Sequence, residues 1–233
     1  MFRVKEIKDS ILHVVFPHVC DGCGSDLLNP ESRLCIRCLA SLPETNFESR
    51  ANNPVEKDFW GRLPIVRGSA HLYFTKESLI QHLMHQVKYR RNKELAVQLG
   101  RIMGNALKSS NRFNDLDALI PLPLFLSREK KRGYNQSKLL CDGIAEVLDL
   151  PVLSNSITRP QHTETQTKKG RIDRWKNIEG KFKLIDPASI QNKHLLLVDD
   201  VVTTGATLEA CGNELLSAGK VNLSIATLCV ASR

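Results

Sequence analysis

Apolar residues recur along this chain with two periods. Continuous runs at 70–74, 118–124, 195–198 and 221–230 read as strands. Runs this short, apolar on every side, mark strands buried on both faces of a parallel sheet. Between them the period lengthens to three and four. Leu79, Ile80, Leu83 and Val87 stripe a helix over 76–86, and Leu95, Leu99, Ile102, Met103 and Leu107 stripe another over 94–109. Residues 138–148 and 208–216 are also helical in pattern, and 151–153 reads as a short edge strand. Pro121 and Pro123 end the second strand, because proline cannot donate to a ladder. Strands that alternate with helices predict an α/β fold, helices covering both faces of a largely parallel sheet.

Polar stretches divide the pattern. Residues 42–64 carry Pro43, Asn52-Asn53-Pro54 and Pro64 among charged residues, the composition of a linker onto whose neighbour Phe59 and Trp60 dock. The expected organisation is a small module over 1–45, a linker over 46–66 and the main domain over 67–233. Within the last, 154–183 is a strongly basic loop. At the start, Ile7, Ile11, Leu12 and Val15 predict an amphipathic helix over 1–16 rather than a signal peptide. No apolar run approaches the ~20 residues of a membrane span, so a soluble, cytoplasmic protein is expected. The 233 residues carry a formal net charge of +8, which favours anionic partners, nucleic acid or phosphorylated ligands.

The candidate chemistry lies in two places. The strand at 195–198 runs into Asp199 and Asp200, then Val201, Val202, Thr203, Thr204, Gly205, Ala206 and Thr207, and a helix follows. A helix start leaves backbone N–H groups unpaired and partly positive, and small residues let an anion approach them. Three threonine hydroxyls add donors, and Gly205 admits positive φ. The loop suits one monophosphate, and the aspartates suit vicinal hydroxyls, which together describe a ribose 5-phosphate. An ordinary strand–turn–helix with a capping threonine is the plainer alternative. The second place is Cys20-x-x-Cys23 and Cys35-x-x-Cys38, eleven residues apart, with Gly22 and Gly24 at the first turn. Four sulfurs so spaced suit a closed structural Zn²⁺ site, with an iron–sulfur cluster left open by the spacing. Disulfides suit a cytosolic chain poorly. Cys141, Cys211 and Cys229 stand in apolar surroundings and read as small buried residues.

Taken in order, these segments resemble one family. The four-cysteine knuckle comes first, then Lys88-Tyr89, Ile120-Pro121-Leu122-Pro123-Leu124 and Arg132-Gly133-Tyr134-Asn135-Gln136-Ser137. Thr165-Gln166-Thr167 with Arg171, Arg174 and Asn177, and the loop Val198 to Thr207, complete the set. The sequence is similar to the ComF family of competence-associated, type I phosphoribosyltransferase-like proteins from Cys20 to Val230. The resemblance implies that fold, with Asp199 and Asp200 on the ribose hydroxyls and 203–207 on the 5-phosphate. It further implies a pyrophosphate held by Arg132, Arg171 and Arg174, with Lys88 in the ligand site and Mg²⁺ bound along with phosphoribosyl pyrophosphate.

Two function classes follow. One is a binding protein of natural competence that takes a phosphoribosyl ligand and handles single-stranded DNA alongside the DNA-uptake proteins. The other is an active phosphoribosyltransferase that moves ribose 5-phosphate to a nitrogen acceptor. His162, in the basic loop, offers no convincing general base, and aromatic residues at 6% give no evident stacking platform.

Overall fold

The computed structural model describes residues 18–160, apart from 28 and 30, and 182–231. The expected helix over 1–16, together with His162, Arg171 and Arg174, lies outside the described residues. In chain order the elements are helix α1 (Ile36–Ala40), a 3-10 turn (Phe47–Ser49), α2 (Pro54–Phe59), β1 (Gly68–Phe74), α3 (Leu79–Tyr89) and α4 (Lys93–Ser109). Then come β2 (Ala118–Pro121), α5 (Leu126–Arg132), α6 (Gln136–Leu148), β3 (Ile157–Thr158), β4 (Lys183–Leu184), β5 (His194–Val202), α7 (Ala206–Leu216) and β6 (Asn222–Ala231).

The main sheet is parallel throughout, in the order β1-β6-β5-β2. Its two inner strands are the most apolar, as burial on both faces requires: Leu195, Leu196, Leu197 and Val198 are fully enclosed. Alternate residues serve opposite layers. Leu196 and Val198 join a cluster with α3, α4 and α6, whereas Leu195 and Leu197 join one with α7 and α2. The β3–β4 pair is antiparallel and separate from the main sheet.

Several elements differ from the sequence expectation, each for a local reason. The helix expected from 76 begins at Leu79, since Ser78 Oγ accepts from Gln81 N–H and caps it there. The second strand stops at Pro121, within the proline pair expected to end it. Leu122 N–H still bonds Val198 O at 2.9 Å, and Pro123, with no N–H, ends the pairing. The basic segment after it is the short helix α5 rather than a loop, closed by Gly133 at φ +83°. The edge strand expected at 151–153 is a single parallel bridge, Val152 to Leu119. Cys141, Cys211 and Cys229 are buried, as expected.

The stretch expected as a linker is the largest departure. Phe47, Val55, Phe59 and Leu63 are buried in the α7-side core, while Trp60 stays exposed. Asn53 makes this possible. Its side chain caps α2 through Val55 and Glu56 N–H, and its amide donates to the carbonyls of Phe47, Arg50 and Gly68. Two of the segment's acids are buried and paired, Glu48 with His71 and Glu56 with Arg112.

Helices α4 and α6 pack closely because each offers a glycine to the other. A Cβ on Gly100 would enter Leu140 O, and one on Gly143 would enter Val97 O and Arg101 N. Glycine costs about 1 kcal/mol in a helix relative to alanine, so the approach must outweigh propensity. Gly143→Ala is therefore expected to lower the stability by about 1–3 kcal/mol in urea unfolding. A gain, as helix propensity alone would give, would contradict this packing.

Candidate functional site

Asp199 and Asp200 belong to β5 itself, at its carboxyl end, and Asp199 lies opposite Thr227 in β6. The chain then turns through Thr203 and Thr204, both exposed, to Gly205 at φ +72°. Gly205 is the N-cap of α7, and no side chain caps that helix. Thr204 Oγ1 accepts from Ala206 N–H at 3.5 Å, a long contact and all that the capping-threonine alternative amounts to among the described residues. By contrast α2, α3, α4 and α6 each have a capping side chain. Apart from the Thr204 contact, the first N–H groups of α7 are left to a ligand or water.

The loop is braced from the former linker. Phe59 lies directly under Gly205, where a Cβ would come within 2.9 Å of the ring. Arg62 donates to Thr204 O at 3.0 Å and pairs with Glu209 of α7. Positive φ and a floor of aromatic carbon both require glycine here.

A cavity of about 180 Å³ opens above the loop. It is lined by Asp199, Asp200 and every residue from 201 to 208, and it also takes in Lys88, Arg128, Arg132, Gln136 and Arg159. The expected residues Lys88, Arg132, Val201, Val202, Thr203, Thr204, Gly205, Ala206 and Thr207 thus meet at one place with the aspartates. Arg128, Gln136 and Arg159 are additions that sequence reasoning had not assigned. The signal for two of them was present, since Gln136 lies within the Arg132–Ser137 motif and Arg128 four residues before it.

That motif also sets the acidic floor. Tyr134 is buried and its hydroxyl donates to Val87 O, tying the turn to α3. Asn135 donates to Leu122 O at 2.9 Å and caps α6 through Ser137 N–H. Ser137 Oγ then reaches Asp199 Oδ1 at 3.0 Å, and Lys88 Nζ reaches Asp200 Oδ2 at 2.8 Å. Burial, and next the charge of Asp200, push the Asp199 carboxyl up to about 7, against the hydrogen bond from Ser137 and the charge of Lys88. A cationic or hydroxyl-bearing ligand would favour its ionised form.

The four N-terminal cysteines converge, with their Sγ atoms all within 4.8 Å of one another. A tetrahedral ion bound by sulfur at ~2.3 Å sets neighbouring sulfurs ~3.8 Å apart. Cys23 Sγ and Cys35 Sγ are 3.7 Å apart. Backbone N–H groups of Gly22 and Cys35 point at Cys20 Sγ, at 3.4 and 3.2 Å, as suits thiolates. Gly22 is required, because a Cβ would come within 2.8 Å of Cys38 Sγ. A hydrogen bond from Ser25 pulls the Cys23 thiol down to about 6, and burial pushes that of Cys38 up. The cluster fits a structural zinc ion. It docks on the main domain, Arg33 gripping Asp21 at 2.9 Å and Glu94 at 3.3 Å, with Gln86 bonded to Asp21 O.

Fold and site together define a parallel α/β protein with a cavity lined by two aspartates and four cations at the carboxyl end of its sheet, and a cysteine cluster able to hold a metal ion. No protein-family model matches the chain. DNA utilization protein YhgH of Salmonella typhimurium is 33% identical over 214 residues, 91% of this chain and 83% of that protein. Competence protein F of Haemophilus influenzae is 30% identical over 214 residues, 90% and 83% of the two chains. Among solved structures, adenine phosphoribosyltransferase from Saccharomyces cerevisiae is 17% identical, with a TM-score of 0.38 over 60% of this chain and 71% of that one. The chain belongs to the ComF family of competence and DNA utilization proteins. Among the described residues, no helix is long and apolar enough to cross a membrane.

Two outcomes are expected. A carboxyl whose pKa rises on folding contributes stability that is complete below about 4 and lost as pH climbs through about 7. The difference in unfolding free energy between Asp199→Asn and the parent should therefore widen in favour of the variant from pH 4 to pH 8; a flat difference would refute the shift. Chelation of the purified protein should release one equivalent of zinc per chain and lower the melting temperature, and Cys38→Ser should bind none. Retention of full stability without metal would exclude a structural role.

Proposed function

We propose that the cavity binds phosphoribosyl pyrophosphate, or a related ribose 5-phosphate ligand, together with Mg²⁺, and that the protein serves natural competence in the cytoplasm. The observation that carries this reading is the uncapped start of α7 beside two strand-end carboxylates in one cavity with four cations. The 5-phosphate would take the N–H groups and hydroxyls of 203–207. Asp199 and Asp200 would accept from the ribose hydroxyls. Arg132, joined by Arg171 and Arg174 of the basic segment, would hold pyrophosphate. The knuckle would carry zinc as a purely structural ion, and Mg²⁺ would neutralise the ligand's phosphates.

The names of the relatives, a competence protein and a DNA utilization protein, support a role in handling imported single-stranded DNA with the uptake proteins. A second cavity, lined by Lys88, Tyr89, Arg91, Arg128, Lys131 and Arg132, adjoins the first and suits a strand's backbone. Tyr89 is 64% exposed there, a face on which a base would stack.

One observation favours the transferase reading beside this. Asp199, with its carboxyl near 7, is a group able to accept a proton from a nitrogen acceptor at neutral pH. Release of pyrophosphate in the presence of an acceptor, lost in Asp199→Asn, would select it.

Calorimetric titration with phosphoribosyl pyrophosphate and Mg²⁺ is the direct test. Saturable one-to-one binding is expected, abolished in Asp199→Ala/Asp200→Ala. No binding by the folded, metal-loaded protein would reject the reading.

A further inference from the structure

The four sulfurs of the cysteine cluster are not equivalent. Cys20 and Cys38 are buried and join the core shared with α3, α4 and α6. Cys23 is exposed and Cys35 half-buried. These outer two, one from each C-x-x-C, lie 3.7 Å apart, Sγ to Sγ. The cluster thus has an inner pair fixed in the core and an outer pair with access to solvent.

Metal-bound sulfur is thiolate, and the thiolate is the nucleophile toward an oxidant. Exposure selects which thiolate meets the oxidant first. A disulfide needs its sulfurs about 2.0 Å apart, so the outer pair must close by less than ~2 Å. The turn after Cys23 has room for this, since Gly24, at φ +73°, stands beside open space. The inner sulfurs are enclosed instead. Cys38 Sγ lies against Gly22, and Cys20 Sγ accepts from the N–H groups of Gly22 and Cys35.

Two contacts depend on the outer sulfurs. Cys35 caps α1, its Sγ accepting from Cys38 N–H at 3.4 Å. The knuckle also meets α3, with Leu79 against Gly22 and Gln86 donating to Asp21 O. Asp21 and Gly22 lie between the ligands Cys20 and Cys23, so a bound metal holds the segment that α3 touches. The last turn of α3 carries Lys88 to Asp200.

We propose that Cys23 and Cys35 form an oxidation site: hydrogen peroxide joins them in a disulfide, the metal leaves and the knuckle loosens from α3. This rests on the reading of the cluster as a zinc site. The Cys23 thiolate attacks one peroxide oxygen, the O–O bond breaks, and a sulfenic acid and hydroxide result. The Cys35 thiolate then attacks that sulfur, the S–S bond forms and a second hydroxide leaves. Two solvent protons turn both hydroxides into water. The two sulfurs together lose two electrons and the peroxide gains them. Zinc keeps only Cys20 and Cys38 and dissociates. In a reducing compartment such a bond is transient.

The full-length, zinc-loaded protein is treated with hydrogen peroxide while a chromogenic chelator reads the released metal, with an untreated sample as control. One equivalent of zinc per chain should appear in step with one disulfide. Trypsin cuts after Arg33 and Arg37, so a Cys23–Cys35 bond joins peptide 9–33 to 34–37, and fragmentation of the joined peptides separates Cys23 from Cys20. Amide hydrogen exchange over α3 should quicken about 5-fold or more. Dithiothreitol with added zinc should reverse all three changes. A disulfide within 9–33, or one joining 34–37 to 38–50, overturns the proposal, as does zinc release with unchanged exchange over α3. Zinc that stays bound under peroxide defeats the proposal alone. A protein that takes up no zinc defeats the zinc reading and the proposal with it.

Discussion

Two adjacent carboxylates stand at the end of a buried strand, and the rest of the site is arranged around the cost of ionising both: burial opposes the charge of Asp199 first, and the charge of Asp200 next. The fold offsets this unequally. Lys88, from the last turn of α3, neutralises Asp200, whereas Asp199 receives only the neutral hydroxyl of Ser137. Its carboxyl therefore keeps a proton almost to neutrality. Both supports come from helices packed on one side of the sheet, α3 and α6. The α4–α6 glycine contact and the Tyr134–Val87 bond that fix those helices also fix the charge state of the site.

The opposite side of the sheet supports the loop rather than the acids. There α2 brings Phe59 beneath Gly205, and Arg62 holds the Thr204 carbonyl and Glu209 together. The Thr204 carbonyl is thereby turned toward a cation, and among the described residues the first-turn N–H groups of α7 have one side-chain contact, the long one from Ala206 to Thr204 Oγ1. A loop that must offer donors to an anion cannot satisfy them internally. Its shape has to be imposed from outside, and a segment remote in sequence imposes it.

This explains which parts were legible in the sequence. The β5–α7 loop and the cysteine pairs could be read because their geometry is local: residues a few positions apart meet through one turn. The parallel sheet could be read because burial on both faces writes itself as unbroken apolar runs. The segment over 42–64 could not. Its buried residues, Phe47, Val55, Phe59 and Leu63, are too few and too widely spaced to make a period, and the helices they serve are only one turn or two long. Two of its acids, Glu48 and Glu56, look solvated in sequence but are buried against His71 and Arg112, partners far along the chain. Arg159 was hidden for a related reason. It stood in a basic stretch that composition marks only as a mobile loop, and its partners Phe125 and Phe182 lie on either side of that stretch in sequence.

The way the cavity holds its cations separates them into two kinds. Lys88 is paired with Asp200 and adds little net charge. Arg128, Arg132 and Arg159 lean instead on the aromatic rings of Phe125 and Tyr89. A ring attracts a guanidinium through its quadrupole and restricts it, yet leaves the full positive charge unneutralised. A carboxylate in the same place would bind the arginine more strongly and cancel what it offers. The cavity is thus an acidic floor brought close to neutrality between walls that remain positive. Such a field favours a molecule with hydroxyls at its centre and anionic groups at its ends, and disfavours one charged in the middle.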